Sequence, residues 1–280
     1  MPMLAVRGVR PERRFRTPFP IRWLYNSEMV PARAAALVTL TLLCLSGQSL
    51  NDTRKRPGGW RSLFDGKTLN GWMWSTAANP PEPSWSVQDG TLVTTPGKGA
   101  EVYLLTRDSF SDFELEFEWK GQAGVNSGIK YRLQGYWSGE PPNGRVTQQP
   151  EGTARIEPIA LEYQIADDAA NKDALSDPKH ACAALYEYWP AAKDAPARAG
   201  VWHTGRIVAR GMHIEHWLDG MKVVDVDLGS PQMREAFAAS PRKRSSPLLM
   251  RQERHESPIA LQIHDGVAAF RNLRIRAISQ

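Results

Sequence analysis

The sequence predicts an all-β fold, an antiparallel sandwich of two sheets. Two features carry that expectation. Apolar residues recur with a period of two along most of the chain, and Asp-Gly dipeptides separate apolar runs of strand length. The clearest strand lies at residues 113–119, where Phe113, Leu115, Phe117 and Trp119 alternate with Glu114, Glu116 and Glu118. Such alternation suits a strand with one face in the core and one in water.

Taken in order, residues 85–88 and 91–94 flank Asp89-Gly90, a dipeptide that tolerates positive φ and closes a hairpin. The glycine- and proline-rich stretch at 134–158 reads as a long loop, and residues 161–165 as a strand. Residues 167–179 and 190–200 read as irregular. Residues 213–218 and 222–226 form a second hairpin across Asp219-Gly220. Asp265-Gly266 predicts a third, between 260–264 and 270–278. At least nine strands result, against one short helix, with Ser230 as N-cap, Pro231 in the first position and Ala239 near its end. Long structureless segments in so compact a pattern point to function, and they fall between strands.

Charge separates the chain into two parts. Residues 1–50 hold seven arginines and two acids, a net of +5 that accounts for the whole charge of the chain. Residues 51–280 balance 28 basic against 28 acidic groups. A neutral body exerts no general pull on phosphate backbones, which excludes nucleic acid as the expected partner. The twelve residues 34–45 are uncharged, follow Arg33 and precede the small residues Ser46, Gly47 and Ser49. That run is too short to span a membrane and has the length of a signal-peptide core, so the chain is expected to be exported, periplasmic or extracellular, meeting a membrane only in transit. A start at Met29 would make residues 1–28 an upstream extension, and cleavage is expected between about residues 46 and 52. Cys44 would leave with the leader, so Cys182 would remain without a disulfide partner. The domain plan is therefore a leader at 1–50, a short linker at 51–58 and one sandwich at 59–280.

Several polar groups fall where chemistry could use them. On the strand at 161–165, Leu161, Tyr163 and Ile165 share one face, and Glu162 and Gln164 the other, with Asp167 just beyond. A carboxylate, an amide and a second carboxylate can bind sugar hydroxyls or move protons; the same pattern also suits a solvated strand face. Gln262 and His264 share a face at a strand end, and histidine titrates near neutrality. Asn126-Ser127-Gly128-Ile129, followed by Lys130-Tyr131-Arg132, offers an amide, a hydroxyl and a guanidinium beside a close backbone approach. Glu114 and Glu118, with Glu116 between them, offer a glucanase-like pair of carboxylates, or simply an outer strand face opposite basic residues. No metal site or cofactor is expected: the six histidines are dispersed, and His213 and His216 fall on opposite faces of one strand. No CxxC, HExxH, GxSxG or glycine-rich phosphate loop occurs.

Eight segments taken together resemble one family. They are WRSLFDGKTL (60–69) leading to Gly71-Trp72, WSVQDG (85–90), DFEL (112–115), NSGI (126–129), LEYQI (161–165), ALY (184–186), EHWLDG (215–220), and LQIH (261–264) with FRNLRI (270–275). In this order they resemble the 3-keto-disaccharide hydrolase family over essentially all of residues 59–278. Two positions depart from its pattern: Ile263 stands where many members have an acid, and Ala183 where glycine is common. The resemblance implies a concanavalin A-like jelly roll, usually exported, acting on glycosides whose sugar carries a 3-keto group. It implies His264 and Glu162 as acid and base in an order left open, and Asn126 and Arg132 as oxyanion donors. Gln164, Asp167, Tyr186 and Gln262 would hold hydroxyls, and Trp137 or Trp189 could stack on a sugar ring. A non-catalytic carbohydrate-binding sandwich is the other reading, because it needs the hydroxyl contacts without the base.

Overall fold

The structure is a computed structural model that describes residues 58–75, 84–95, 103–138, 145–148, 156–193, 196–242 and 245–278. The expected signal peptide, its cleavage region and linker residues 51–57 lie outside the described residues. The chain builds β1 (Arg61–Ser62), β2 (Trp72–Trp74), β3 (Trp85–Gln88), β4 (Thr91–Thr94) and β5 (Leu104–Thr106). Long central strands follow: β6 (Phe113–Gly121), β7 (Asn126–Ser138), β8 (Arg145–Thr147) and β9 (Ile156–Ala166). After α1 (Lys172–Ser176) come β10 (His203–Arg210), β11 (His213–Leu218) and β12 (Met221–Asp227). The helices α2 (Pro231–Ala239) and α3 (Ser246–Arg251) precede β13 (Ala260–Asp265) and β14 (Ala268–Ala277).

These strands form the expected two antiparallel sheets. The eight-stranded sheet runs β12-β11-β10-β6-β14-β4-β3, with β1 on β14. The six-stranded sheet runs β2-β5-β13-β7-β8, with β9 on β7. Each sheet turns its apolar alternate residues inward. Phe113, Leu115, Phe117 and Trp119 of β6 are buried, facing Ile129, Tyr131, Leu161, Tyr163 and Ile165 of β7 and β9. Edge-to-face pairs tie the layers together, Phe117 on Tyr163 at 5.2 Å and Phe113 on Tyr131 at 6.1 Å. Each such side chain contributes roughly 1.5–3 kcal/mol by leaving water.

The first two Asp-Gly turns are hairpins, with Asp89, Gly90, Asp219 and Gly220 all at positive φ. The third is not. β13 and β14 belong to different sheets, so Asp265-Gly266 carries the chain from one layer to the other. Gly266 is needed there because a Cβ would sit 3.1 Å from the Val125 Cα. The loop expected at 134–158 is shorter than its composition suggests, because β7 runs to Ser138 and β8 and β9 occupy 145–147 and 156–166. Two further helices join the expected one. Ser230 caps α2 as foreseen, accepting from the Met233 N–H at 3.2 Å, while α1 and α3 are too short to show helical periodicity in sequence.

One core group ties stability to pH. His216 is fully buried between the sheets, donating from Nδ1 to the Ala183 carbonyl at 2.9 Å and accepting from the Tyr131 hydroxyl at 2.7 Å. Burial pulls its pKa down to about 4. Below its unfolded value of ~6.5 the unfolded chain takes up a proton that the native state refuses, so stability falls as pH drops from ~6.5 toward 4. Between pH 7 and 4.5, urea unfolding should show the wild type losing about 2–3 kcal/mol more than His216→Gln. Equal losses would mean that His216 is not neutral in the core. Ala183, which shares this contact, keeps the left-handed backbone that glycine would adopt freely (φ 65°).

Candidate functional site

A cleft of about 940 Å³ opens over the outer face of the six-stranded sheet. Its floor follows from strand register. Gln262 of β13 lies opposite Gly128 of β7, which lies opposite Gln164 of β9. One pair further along, Ala260, Lys130 and Glu162 are likewise aligned. Asn126, Gly128 and Lys130 of β7 and Glu162 and Gln164 of β9 therefore point away from the core, as the alternation in LEYQI predicts.

Glu162 is the centre of this floor. Its Oε2 accepts from Lys130 Nζ at 2.8 Å, and the two side chains are only 5% and 2% exposed. Burial opposes the lysine charge, but Glu162, together with Tyr103 and Glu157, outweighs it and holds the Lys130 pKa above the ordinary lysine value. Gly128 gives the carboxylate its room: a Cβ there would lie 2.3 Å from Glu162 Oε1. Beside it, Gln164 donates to Asn126 Oδ1 at 3.2 Å, while the amide oxygens of Gln164 and Gln262 are buried without a hydrogen-bond partner. Two orphan acceptors in one cleft suit the hydroxyl donors of a polyol.

His264 stands at the rim, 42% exposed, in a register shift of β13 between Ile263 and Asp265. Such a bulge re-aims a side chain. Its Nδ1 lies 2.8 Å from Asp265 Oδ2, so the orienting carboxylate missing at 263 is supplied by the next residue instead. With Nδ1–H directed to Asp265, the ring is held at the edge of the cleft that it lines.

The walls come from segments that break the strand rhythm. Tyr186 is anchored by its backbone N–H to the Glu162 carbonyl at 3.0 Å, and its hydroxyl donates to Asp173 Oδ2 at 2.9 Å. Burial raises the phenol pKa well above the ordinary value, so it acts as a neutral donor. Trp137, Glu157, Asn171, Asp173 and Arg242 also line the cleft. The Arg242 guanidinium lies over the Tyr186 ring at 5.1 Å and 3.2 Å from Glu157 Oε1.

Of the residues expected from sequence, Glu162, His264, Asn126, Gln164, Tyr186 and Gln262 all meet in the cleft. Arg132 and Asp167 do not. Arg132 sits at φ 55° and turns its guanidinium to Asp112 at 2.8 Å and to the carbonyls of Gly211 and His255. It is a buried structural cation. Asp167 accepts from the N–H groups of Gly124 at 2.9 Å and Ala169 at 3.2 Å, shaping the loop beside α1. Trp137 lines the cleft, whereas Trp189 packs against the core. Sequence reading missed Arg242 and Asp173. Neither belongs to a motif; only the irregularity of residues 167–179 pointed toward one of them.

The glucanase-like carboxylates lie on the other side of the sandwich. Glu114 pairs with Arg206 and Arg276, Glu116 with Arg274 at 2.8 Å, and Glu118 with Arg271 and Asn272, each at 2.7 Å. This is a cross-strand charge ladder on the outer sheet face. Glu116→Gln should accordingly leave turnover within a few-fold of wild type; a large loss in a steady-state assay would move the chemistry to this face. His213, Glu215 and Asp225, also on this sheet, bring potential ligand atoms within 4.8 Å. The Lys222 ammonium already pairs with both carboxylates, 3.4 Å from Glu215 and in contact with Asp225.

Residues 59–276 match the family described as the 3-keto-alpha-glucoside-1,2-lyase-like domain. A 3-keto-disaccharide hydrolase of Bacteroides thetaiotaomicron is 29% identical over 238 residues, 79% of each chain. A crystal structure of a candidate glycosyl hydrolase from Parabacteroides distasonis has the same fold, with a TM-score of 0.62, 22% identity, and 79% of this chain and 95% of that one covered. A second from that organism gives 0.56 at 27% identity, covering 79% of this chain and all of the other.

Proposed function

The chain belongs to the 3-keto-α-glucoside-1,2-lyase-like family, and from that premise we propose that it is a glycoside-cleaving enzyme acting on 3-keto-glycosides or 3-keto-disaccharides. The observation that carries this reading is the meeting, in one cleft, of an ion-paired Glu162, a rim histidine oriented by a carboxylate, and two unpartnered amide oxygens. A ketone at C3 acidifies the C2 proton. Glu162, ion-paired with the Lys130 ammonium beside it, removes that proton. The electron pair forms the C1–C2 double bond and the C1–O bond breaks. His264 serves as the acid that gives the leaving oxygen its proton. Water then adds back, hydroxyl to C1 and proton to C2, so the net result is hydrolysis.

The enolate oxygen at C3 needs donors in the cleft, and Asn126 with Arg242 takes the part that the sequence assigned to Arg132. Gln164, Gln262 and Tyr186 hold hydroxyls, and the Trp137 ring offers a stacking face. Export rests on the leader sequence alone.

Incubating the purified protein with 3-keto-trehalose or a 3-keto-glucoside, beside the unoxidised sugars, tests the reading. Release of the aglycone from the keto sugars only is expected. Binding without cleavage would make the protein a carbohydrate-binding sandwich, and cleavage of the unoxidised sugars would remove the role of the ketone.

A further inference from the structure

Behind the wall that carries Tyr186 and Arg242 lies a cluster that the proposed chemistry does not use. His180 ends a 3₁₀ turn, Pro178–His180, which is pinned where Asp177 Oδ1 accepts from the Lys179 N–H at 2.9 Å. Its ring stacks on Tyr186 at 4.7 Å, with 28° between the planes. Nδ1 lies 2.9 Å from Asp173 Oδ1 and Nε2 lies 3.4 Å from Glu187 Oε2. Both nitrogens are shut away from solvent, and neither makes an aligned hydrogen bond, so what faces them is the charge of two carboxylates. A neutral imidazole has one N–H and would turn a lone pair toward one of those carboxylates. Only the imidazolium sets a positive charge against both carboxylates and turns a lone pair toward neither.

The same two carboxylates hold the cleft wall. Asp173 accepts from the Tyr186 hydroxyl through its other oxygen, at 2.9 Å. Glu187 Oε2 lies 3.5 Å from Arg242 Nε. Glu187 itself stands at φ 73°, in the left-handed region, with its N–H on the Lys179 carbonyl at 3.2 Å. A glutamate held in that conformation marks a position over-determined by its surroundings. The groups facing His180 are thus Asp173 on α1, and Tyr186 and Glu187 on the following loop. Lys179 and Asp177 flank it in its own turn, and Arg242 stands beyond Glu187.

We propose that His180, as an imidazolium bridging Asp173 and Glu187, is a positioning residue that fixes the Tyr186 hydroxyl and the Arg242 guanidinium for the sugar in the cleft. The bridge itself is independent of any substrate; its effect on turnover rests on the proposed function. Two measurements separate these. In ¹⁵N-histidine-labelled full-length protein without sugar, the His180 ring, assigned by its loss in His180→Gln, should carry protons on both nitrogens at pH 7. Asp173→Asn should shift that state toward the neutral ring. A singly protonated His180 at pH 7 would overturn the proposal even if the enzyme cleaves its expected substrate.

In steady-state assays His180→Gln should lower kcat by about 10- to 100-fold with a smaller change in KM, because wall groups displaced by about an ångström lose transition-state contacts. Combined with Tyr186→Phe and Arg242→Gln, His180→Gln should add little further loss, since it acts through those two residues. Full additivity at unchanged thermal stability would overturn the positioning role. Were no keto sugar cleaved by wild type, the function would fall and the protonation measurement would still decide the bridge.

Discussion

Glu162→Gln should lower kcat/KM on a 3-keto-glycoside by about 10²–10⁴-fold, the range for losing a general base. It should also destabilise the fold. The Lys130 ammonium, 2% exposed, would lose the carboxylate 2.8 Å away, and an uncompensated buried charge costs about 3–5 kcal/mol. The two effects come apart in a double variant. Adding Lys130→Met removes the orphaned charge and should return most of the thermal stability while activity stays lost. Recovery of activity along with stability would show that Glu162 matters only for folding, and the base would have to be sought elsewhere. Gly128→Ala reaches the same carboxylate from the backbone, because the new Cβ would lie 2.3 Å from Oε1 and force it from its place.

His264→Gln should give the second large effect, again about 10²–10⁴-fold in kcat. Here stability should scarcely move, since His264 and Asp265 are 42% and 61% exposed at the rim and surface substitutions usually stay within ~0.5 kcal/mol. Glutamine keeps hydrogen-bonding reach but carries no transferable proton near neutral pH. Asp265→Asn should weaken the reaction less, because it disturbs only the orientation of the ring through the 2.8 Å contact at Nδ1. Normal turnover by a folded His264→Gln enzyme would make the histidine a bystander.

The sandwich and most of the cleft floor were legible because strand geometry converts a period of two directly into faces. Phe113 to Trp119 showed which side of β6 is core, and Glu162 and Gln164 showed which side of β9 is not. The third Asp-Gly turn misled because the dipeptide specifies local backbone and not which sheet the next strand joins; β13 and β14 part company there. Arg132 misled for a related reason. Its parity along β7 places it with Asn126, Gly128 and Lys130, but the strand shifts register between Tyr131 and Gly135 and sends the guanidinium to Asp112. Asp167 lies one residue past β9, where alternation no longer governs direction. Arg242 had no signal at all, since its place over Tyr186 depends on how the segment between α2 and α3 folds back across the six-stranded sheet.

The central claim is that bond cleavage begins with removal of the C2 proton by a group on the cleft floor. A 3-keto-glucoside carrying deuterium at C2 tests it most directly, with aglycone release and the isotope at C2 followed in one reaction. Deuterium at C2 of the released 3-keto sugar should be exchanged for solvent hydrogen. Where proton removal limits the rate, the deuterated glycoside should also react several-fold more slowly. Aglycone released at an undiminished rate, with the deuterium still at C2 of the product, would mean direct displacement at C1 and would contradict the account.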